Sequence, residues 1–569
     1  MIIGIDLGTT NSLCAYWRDG KAHIIPNALG ESLTPSVVGL DDDGSILVGR
    51  AARERLQTHP ERTTALFKRY MGSERKVMLG DKEFRPEELS SMVLRALKED
   101  AEHALGETVT EAIITVPAYF SDAQRKATKI AGQLAGLKVE RLLNEPTAAA
   151  LAYGIHEAGN EAKFLVFDFG GGTFDVSILE LFDGVMEVRA SAGDNFLGGE
   201  DFVSLMYDQF LQQSGLQAAL GGKTLAPRQV QRLRDEAERV KRLLSQQTQA
   251  VMQIQHEETE YRWEVTEDAL TQLAEPLLQR LRSPVERALR DATIRASELD
   301  SVVLAGGATR MPIVRKLVSR MFGRFPATGL NPDEAIALGA AIQGGLKMRD
   351  AALEEVVMTD VAPYSLGIAI ARQVGPNQYD GGHYLPIIER NSTVPVSRIE
   401  NITTIRDFQR ELNVAIYQGE SRLVKDNVYL GKIDFPVPQK KAGEISIDIR
   451  FTYDISGVLE VEATVKETNE KYKVLITENA GVMSQEEMEK RMQELAHLKI
   501  HPRDQMENRT LIAHADRLYE QSLGDVRNFL AQAIAQFQSV LESQDENQIR
   551  HARSRLRELL EQIENESFL

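Results

Sequence analysis

The chain has 569 residues, more than one hydrophobic core can organise, and at roughly 100–200 residues per domain it should divide into three or four units. Its 43% hydrophobic and 26% charged residues are those of a globular protein, while a net charge of −18 excludes a nucleic-acid backbone as the main partner. A single cysteine, Cys14, excludes an internal disulfide framework, and with no basic residue ahead of Asp6 in MIIGIDLGTT and no apolar window near 18 residues, the expectation is a cytoplasmic protein without signal peptide or membrane span.

Residues 1–350 alternate short apolar strands, predicted at 2–5, 112–116, 164–167 and 302–304, with amphipathic helices, an α/β pattern. Across 351–362 the pattern breaks into LEEVVMTD, a linker. From 363 to 478 the apolar period becomes two. In ISIDIRFTYD, Ile445, Ile447, Ile449, Phe451 and Tyr453 point one way, and after a turn at 454–457 Leu459, Val461, Ala463 and Val465 do the same. That predicts an antiparallel sheet with one buried face. From 479 to 569 the chain reads as helix. Ser484 and Glu487 make a capping-box pattern ahead of the stripe Met488, Met492 and Leu495, His501-Pro502 breaks that helix, and further helical runs are separated near Gly524 and Asp545.

The chemistry is concentrated in turns. FLVFDFGGGTFDVSIL, residues 164–179, is a strand–turn–strand with Asp168 and Asp175 at the two ends of a glycine turn. An acid ending a buried strand is costly unless a cation, donor or ligand meets it. Near the N-terminus IIGIDLGTTNSLCAYW repeats the arrangement with Asp6, Gly8, Thr9 and Thr10. Glycines let backbone N–H groups approach an anion, threonines add donors, and the acids can hold a hydrated divalent cation. Two such turns facing each other would clamp a triphosphate. Either alone is an ordinary Gly/Asp hairpin turn; the second copy is what carries the argument. LQAALGGKTL fails as a Walker loop because Gln217 occupies the first glycine position. SVVLAGGATRMP ends a strand at Gly306-Gly307 with Arg310 beyond, which suits a base and ribose. The helical run 228–246 carries Glu238, Lys241 and Ser245 beside its apolar stripe, by itself no more than a solvated face.

IGIDLGTTNS, VPAYFSDAQRKAT, LLNEPTAAALAYG, FDFGGGTFDVS, GDNFLGGEDF and VVLAGGATRMP, in this order and spacing, resemble the 70-kDa heat-shock chaperones of the DnaK type, and the short HscC-type members most. The likeness covers essentially the whole chain. It implies an actin-like (ribonuclease-H-like) two-lobed ATPase, then an antiparallel β-sandwich that grips extended peptide, then a C-terminal α-helical lid. The expected function is a stress-response chaperone that binds extended apolar segments of unfolded or specific clients and switches affinity by hydrolysing ATP.

By position, the resemblance places Asp6, Gly8, Thr9, Thr10, Asn11, Asp168, Gly170, Gly171, Gly172 and Thr173 around the phosphates. Asp6, Asp168 and Asp175 would organise Mg2+, with K+ as a second cation. Lys68 and Glu145, with Asp168 and Thr173, would orient the attacking water and stabilise the transferred group. Glu238, Lys241, Ser245, Gly306, Gly307, Arg310 and Asp333 would hold the adenosine half of ATP or ADP. No activated Ser, Cys or His is visible, so water attack is the consistent chemistry.

In the sandwich the likeness puts Ile402 and Leu412 on the floor of a peptide channel, with Ile405 and Ala371 as an arch near Ile368; periodicity alone would read Ile402 and Leu412 as core. Coupling is expected through Pro117, Arg125, Lys126, Arg141, Asn144, Val356, Val357 and Asp360, with Arg141, Asn144 and Asp360 where a J-domain cochaperone would meet the chain. Three departures stand out. Thr359 is polar in a linker usually leucine-rich, so docking should be weaker; IQHEETEYRWEV is shorter than the usual exchange-factor loop, so a GrpE-type factor is not carried over; and ARQVGPNQYDGGHYL lengthens a loop beside the channel. The alternatives are a client-restricted regulatory ATPase, a sugar kinase or filament protein of the same ATPase fold, and a passive peptide binder.

Overall fold

The computed structural model describes residues 1–139, 141–154, 162–182, 185–327, 329–350, 353, 357–375, 378–453, 459–476, 502–522, 524–542 and 546–566. The helix expected at 484–495, the turn at 454–457 and Val356 lie outside these.

Two sheets dominate residues 1–350, and they repeat one plan. In the first, Ile2–Asp6 forms a hairpin with Asn11–Arg18, Lys21–Ile25 continues it antiparallel, and Glu111–Val116 joins Ile2–Asp6 in parallel from the other side. In the second, Ala162–Phe169, Phe174–Phe182, Val185–Asp194 and Ser301–Ala305 take the same four places. The central strands are buried on both faces, which is why they read as continuous apolar runs. Between the sheets two helices cross, Glu145–Gly154 and Ala335–Lys347. A methyl on Gly339 would sit 1.8 Å from Ala148 O, so only glycine allows this approach.

The period-two segments fold as expected. Strands Val396–Thr403, Ser446–Tyr453, Leu459–Val465 and Glu470–Ile476 form one sheet, and Gln378–Ile388, Leu366–Gly375, Glu411–Gln418 and Val428–Pro436 the other. The inward row Ile445, Ile447, Ile449, Phe451, Leu459, Val461, Ala463 and Val465 is fully buried between them. IQHEETEYRWEV falls in a plain hairpin, Gln249–His256 with Thr259–Thr266. The lengthened loop falls in the hairpin Leu366–Gly375 with Gln378–Ile388. At the C-terminal end, helices Pro502–Gln521, Gly524–Glu542 and Glu546–Glu566 share a small core that includes Leu518, Leu530, Phe537 and Leu560.

Sandwich and lid helices both lie against the α/β part. The linker strand Val357–Val361 extends the second sheet, parallel to Val185–Asp194, and pairs on its free edge with Thr393–Val394. Thr359 stands opposite Glu187, and its hydroxyl is buried with no hydrogen-bond partner. An unmade buried hydroxyl bond costs about 1–3 kcal/mol, so the docked strand carries an internal weakness. Thr359→Val keeps the shape and removes the hydroxyl. It should stabilise docking by about 1 kcal/mol, read as slower amide exchange across 357–361 and slower proteolysis within 351–362.

Candidate functional site

The two glycine turns face each other in contact. A methyl on Gly171 would lie 2.4 Å from Thr10 Cγ2, and one on Gly172 would lie 2.4 Å from Thr9 Cγ2. The first turn is fixed from within: Gly8 N donates to Ser12 Oγ at 3.1 Å, Ser36 Oγ donates to Gly8 O at 2.8 Å, and a Gly8 methyl would meet Asn11 O at 1.9 Å. The second is closed by Gly170 N donating to Thr173 O at 3.1 Å. Together they line a cleft of about 650 Å³ that also takes in Asn11, Lys68, Glu145 and Asp168.

The acids are directly comparable. Asp168 and Asp175 are cross-strand partners at the mouth of the hairpin, which answers why the turn is flanked by two carboxylates: they meet. Both are buried, and each keeps one oxygen, Oδ2, without a hydrogen-bond partner. Asp175 Oδ1 accepts from Tyr119 N at 3.1 Å, and Asp6 Oδ1 accepts from Thr115 Oγ1 at 3.3 Å. Lys68 Nζ donates to Glu145 Oε1 at 2.8 Å with the two side chains 3% and 7% exposed, and sits 5.6 Å over the Phe120 ring. Burial, then Glu145, pushes Asp6 up to about 7 and Asp175 up to about 8; burial, Glu145, Asp175 and Asp6 push Asp168 well up. Carboxylates thus outnumber the lysine among them, and two of their buried oxygens have no hydrogen-bond partner. That donor set fits a hard divalent cation. Among the described residues no three such groups stand close enough to ligate a bare ion, so a cation here would be held through water and phosphate oxygen, as Mg2+ prefers.

The other end of the cleft is lined by Glu238, Lys241, Ser245, Gly306, Gly307, Arg310 and Asp333. Glu238 pairs with Lys241 at 2.5 Å and Arg242 at 2.6 Å, and Arg310 forks onto Asp333 at 2.6 Å with Asn331 beside it. Gly306 has φ +81°, and a methyl there would lie 2.5 Å from Phe169 O, so the strand end must be glycine for the backbone to pass.

Sequence reasoning missed two residues that tie the halves of the cleft together. Arg69, next to Lys68, donates to Gly172 O at 3.0 Å and pairs with Asp201 at 2.6 Å, tying the first half of the cleft to the second glycine turn. Gln57, on the helix Arg50–Thr58, donates to Asp235 Oδ2 at 2.6 Å across the cleft. Nothing in their local sequence marks them; both act only once the halves meet.

Of the coupling residues, the structure joins three. Arg125 Nη2 donates to Asn144 Oδ1 at 2.7 Å and Asn144 Nδ2 donates to Asp360 Oδ2 at 2.5 Å, carrying the contact into the linker strand. Pro117 O accepts from Phe120 N at 3.2 Å beside them, the charge of Arg141 acts on Asp360, and Val357 pairs with Val185. Lys126 is half-buried on the helix Asp122–Leu134. Further contacts tie in the sandwich: Tyr364 Oη donates to Tyr119 O at 2.9 Å, Tyr453 Oη donates to Asp122 Oδ1 at 2.8 Å, and Arg390 forks onto Asp291 at 2.8 and 3.1 Å. Tyr119 therefore touches the acid Asp175 with its N–H and the sandwich with its carbonyl. In the sandwich Ile402 and Leu412 are half-buried against the core, Ile405 and Ala371 are half-buried, and Ile368 is fully buried.

The family model described as Hsp70 protein matches residues 2–78 and 73–568. The Chaperone protein DnaK of Thermotoga neapolitana is 39% identical over 551 residues, covering 91% of this chain and 89% of that one. The protein of the same name from Thermotoga maritima is 41% identical over 496 residues, covering 84% and 80%. A match running through the sandwich and the helices beyond it leaves no place for a sugar kinase. Gly171→Ala forces the glycine turns apart and is expected to lower adenine-nucleotide affinity about tenfold, the cost of overpacking by one methyl, in calorimetric titration with an unchanged far-ultraviolet dichroism spectrum.

Proposed function

The chain belongs to the Hsp70 family and is an ATP-dependent molecular chaperone, an ATPase that binds ATP or ADP, generally with Mg2+, and holds unfolded client polypeptides; from that premise we propose how its residues share the work. The α/β part, 1–350, is read as an actin-like lobe pair, 351–362 as the linker, 363–478 as the peptide-binding sandwich and 479–569 as the lid, in a cytoplasmic member of the short HscC type. The repeated strand plan of the two sheets supports the lobe pair.

The observation that carries the site is the contact of the two glycine turns over buried acids. ATP lies with its phosphates between them, held by backbone N–H groups and the hydroxyls of Thr9, Thr10 and Thr173. Glu238, Lys241 and Ser245 hold the ribose side, and Arg310 stacks on the base. When bound, Mg2+, and K+ beside it, neutralise the phosphate charge that Asp6, Asp168 and Asp175 would otherwise repel. Glu145 and Asp168 orient the attacking water, whose proton the Asp168 carboxylate can take because burial raises its basicity. Lys68, held by Glu145 at 2.8 Å, stabilises the charge developing on the transferred phosphoryl group.

Arg125, Asn144 and Asp360 pass the state of the cleft to the linker, and a J-domain cochaperone meets the surface around Arg141, Asn144 and Asp360. The docked linker strand is read as the ATP-bound arrangement, in which Ile402, Ile405, Leu412 and Ala371 exchange client segments freely. Hydrolysis withdraws the ligand that favours docking, so the equilibrium moves and the grip tightens. Lys68→Ala should lower single-turnover ATP hydrolysis by about 100- to 1000-fold while nucleotide still binds. In steady state, an apolar peptide should accelerate the wild-type turnover; insensitivity to peptide would leave a nucleotide-hydrolysing protein without the coupling.

A further inference from the structure

The lid reaches both halves of the nucleotide cleft. Helix Pro502–Gln521 lies along helix Arg50–Thr58 of the first half, where Arg517 Nε meets Glu54 Oε2 at 2.7 Å and Gln521 Nε2 donates to Gln57 Oε1 at 3.1 Å. The same lid helix touches the second half directly, Glu520 pairing with Arg228 at 3.3 Å at the start of helix Pro227–Leu243. Gln57 is the joint: its carbonyl accepts from the lid while its amide donates across the cleft to Asp235 at 2.6 Å. Asp235 stands one helical turn before Glu238, on the helix that also carries Lys241, and both Asp235 and Glu238 line the cleft.

We propose that Gln57 is a positioning residue for nucleotide retention, through which the docked lid braces the cleft closed, so that nucleotide exit is set from within the chain by the lid. This rests on the reading of the cleft as the ATP site. The three lid contacts are unequal. Arg228 and Glu520 are 53% and 37% exposed, and such a pair contributes little by itself. Arg517 and Glu54 are 20% and 10% exposed, and removing the arginine strips a largely buried carboxylate of one partner. Gln521 costs least to remove but is the lid's hold on the bridging amide. With all three intact, opening the cleft must part Gln57 from Asp235 and slide the lid off one half. With the lid released, Gln57 loses the partner that holds its amide on Asp235, and Arg69 is the tie that still resists among the side-chain contacts named above.

The test is release of a fluorescent, non-hydrolysable ATP analogue from the full chain, followed by stopped-flow chase with unlabelled ATP. Arg517→Ala with Gln521→Ala should speed release about 3- to 10-fold, as expected for the loss of one or two hydrogen bonds, with the association rate unchanged. Glu520→Arg should also speed release, and adding Arg228→Glu should bring it back toward the wild-type rate, which a general loss of stability would not do. Gln57→Ala should match the lid double variant, and the two combined should give no further acceleration. Release at the wild-type rate in the lid double variant overturns the proposal, as does additivity of Gln57→Ala with it. A wild-type chain that binds none of the analogue would overturn the ATP-site reading and the proposal with it.

Discussion

Buried negative charge without enough positive charge to balance it is the constraint on which this molecule turns. Asp6, Glu145, Asp168 and Asp175 are all withdrawn from water around Lys68. Left as they are, Asp6, Asp168 and Asp175 hold protons that their ordinary acidity would release. A divalent cation relieves the imbalance, whereas a polyphosphate entering without one would add to it. The charge of the pocket thus suits a nucleotide that arrives with its cation better than a bare nucleotide.

Rigid parts in contact join the cleft to the sandwich. Tyr119 presents its N–H to Asp175 and its carbonyl to Tyr364, so one residue's backbone lies between the phosphate side of the cleft and the sandwich. A second path runs from Arg125 through Asn144 to Asp360 in the linker strand. A third joins Asp291 to Arg390 and Asn391, in the segment between strands Gln378–Ile388 and Val396–Thr403 of the two sheets. These paths differ in strength. The linker strand carries the unpaired Thr359 hydroxyl, whereas Arg390 grips its partner through two bonds. Docking of the sandwich here leans on side-chain contacts outside the linker more than the linker's own composition would suggest.

What could be read from the chain follows from what repeats. Each glycine turn is bounded by apolar strands and has no steric substitute, so its place was visible as a pattern, and its duplication made the pairing of halves visible too. The sandwich face was legible in Ile447, Ile449 and Phe451 because a period of two admits only one arrangement of buried side chains. Lys68 was not legible from its surroundings; resemblance alone raised it, since a lysine in a turn has no periodicity to betray it. Arg69, Gln57 and Tyr119 stayed hidden for a different reason. Their partners are a backbone carbonyl, a carboxylate on the opposite half and a backbone-to-phenol bridge, none of which leaves a trace in neighbouring residues. Ile402 and Leu412 share the alternation of core residues, and the coordinates leave both half-buried against that core.

The lone sulfhydryl has a meaning for the work itself. Cys14 is 1% exposed, its Sγ directed at Leu97 O, and burial holds it protonated far above its usual range. Chains that have lost their fold present cysteines that were once covered, and a reactive thiolate on the protein gripping them would be captured in mixed disulfides during oxidative damage. With its single thiol sealed inside the first sheet, this protein can hold such chains and let them go without covalent entanglement.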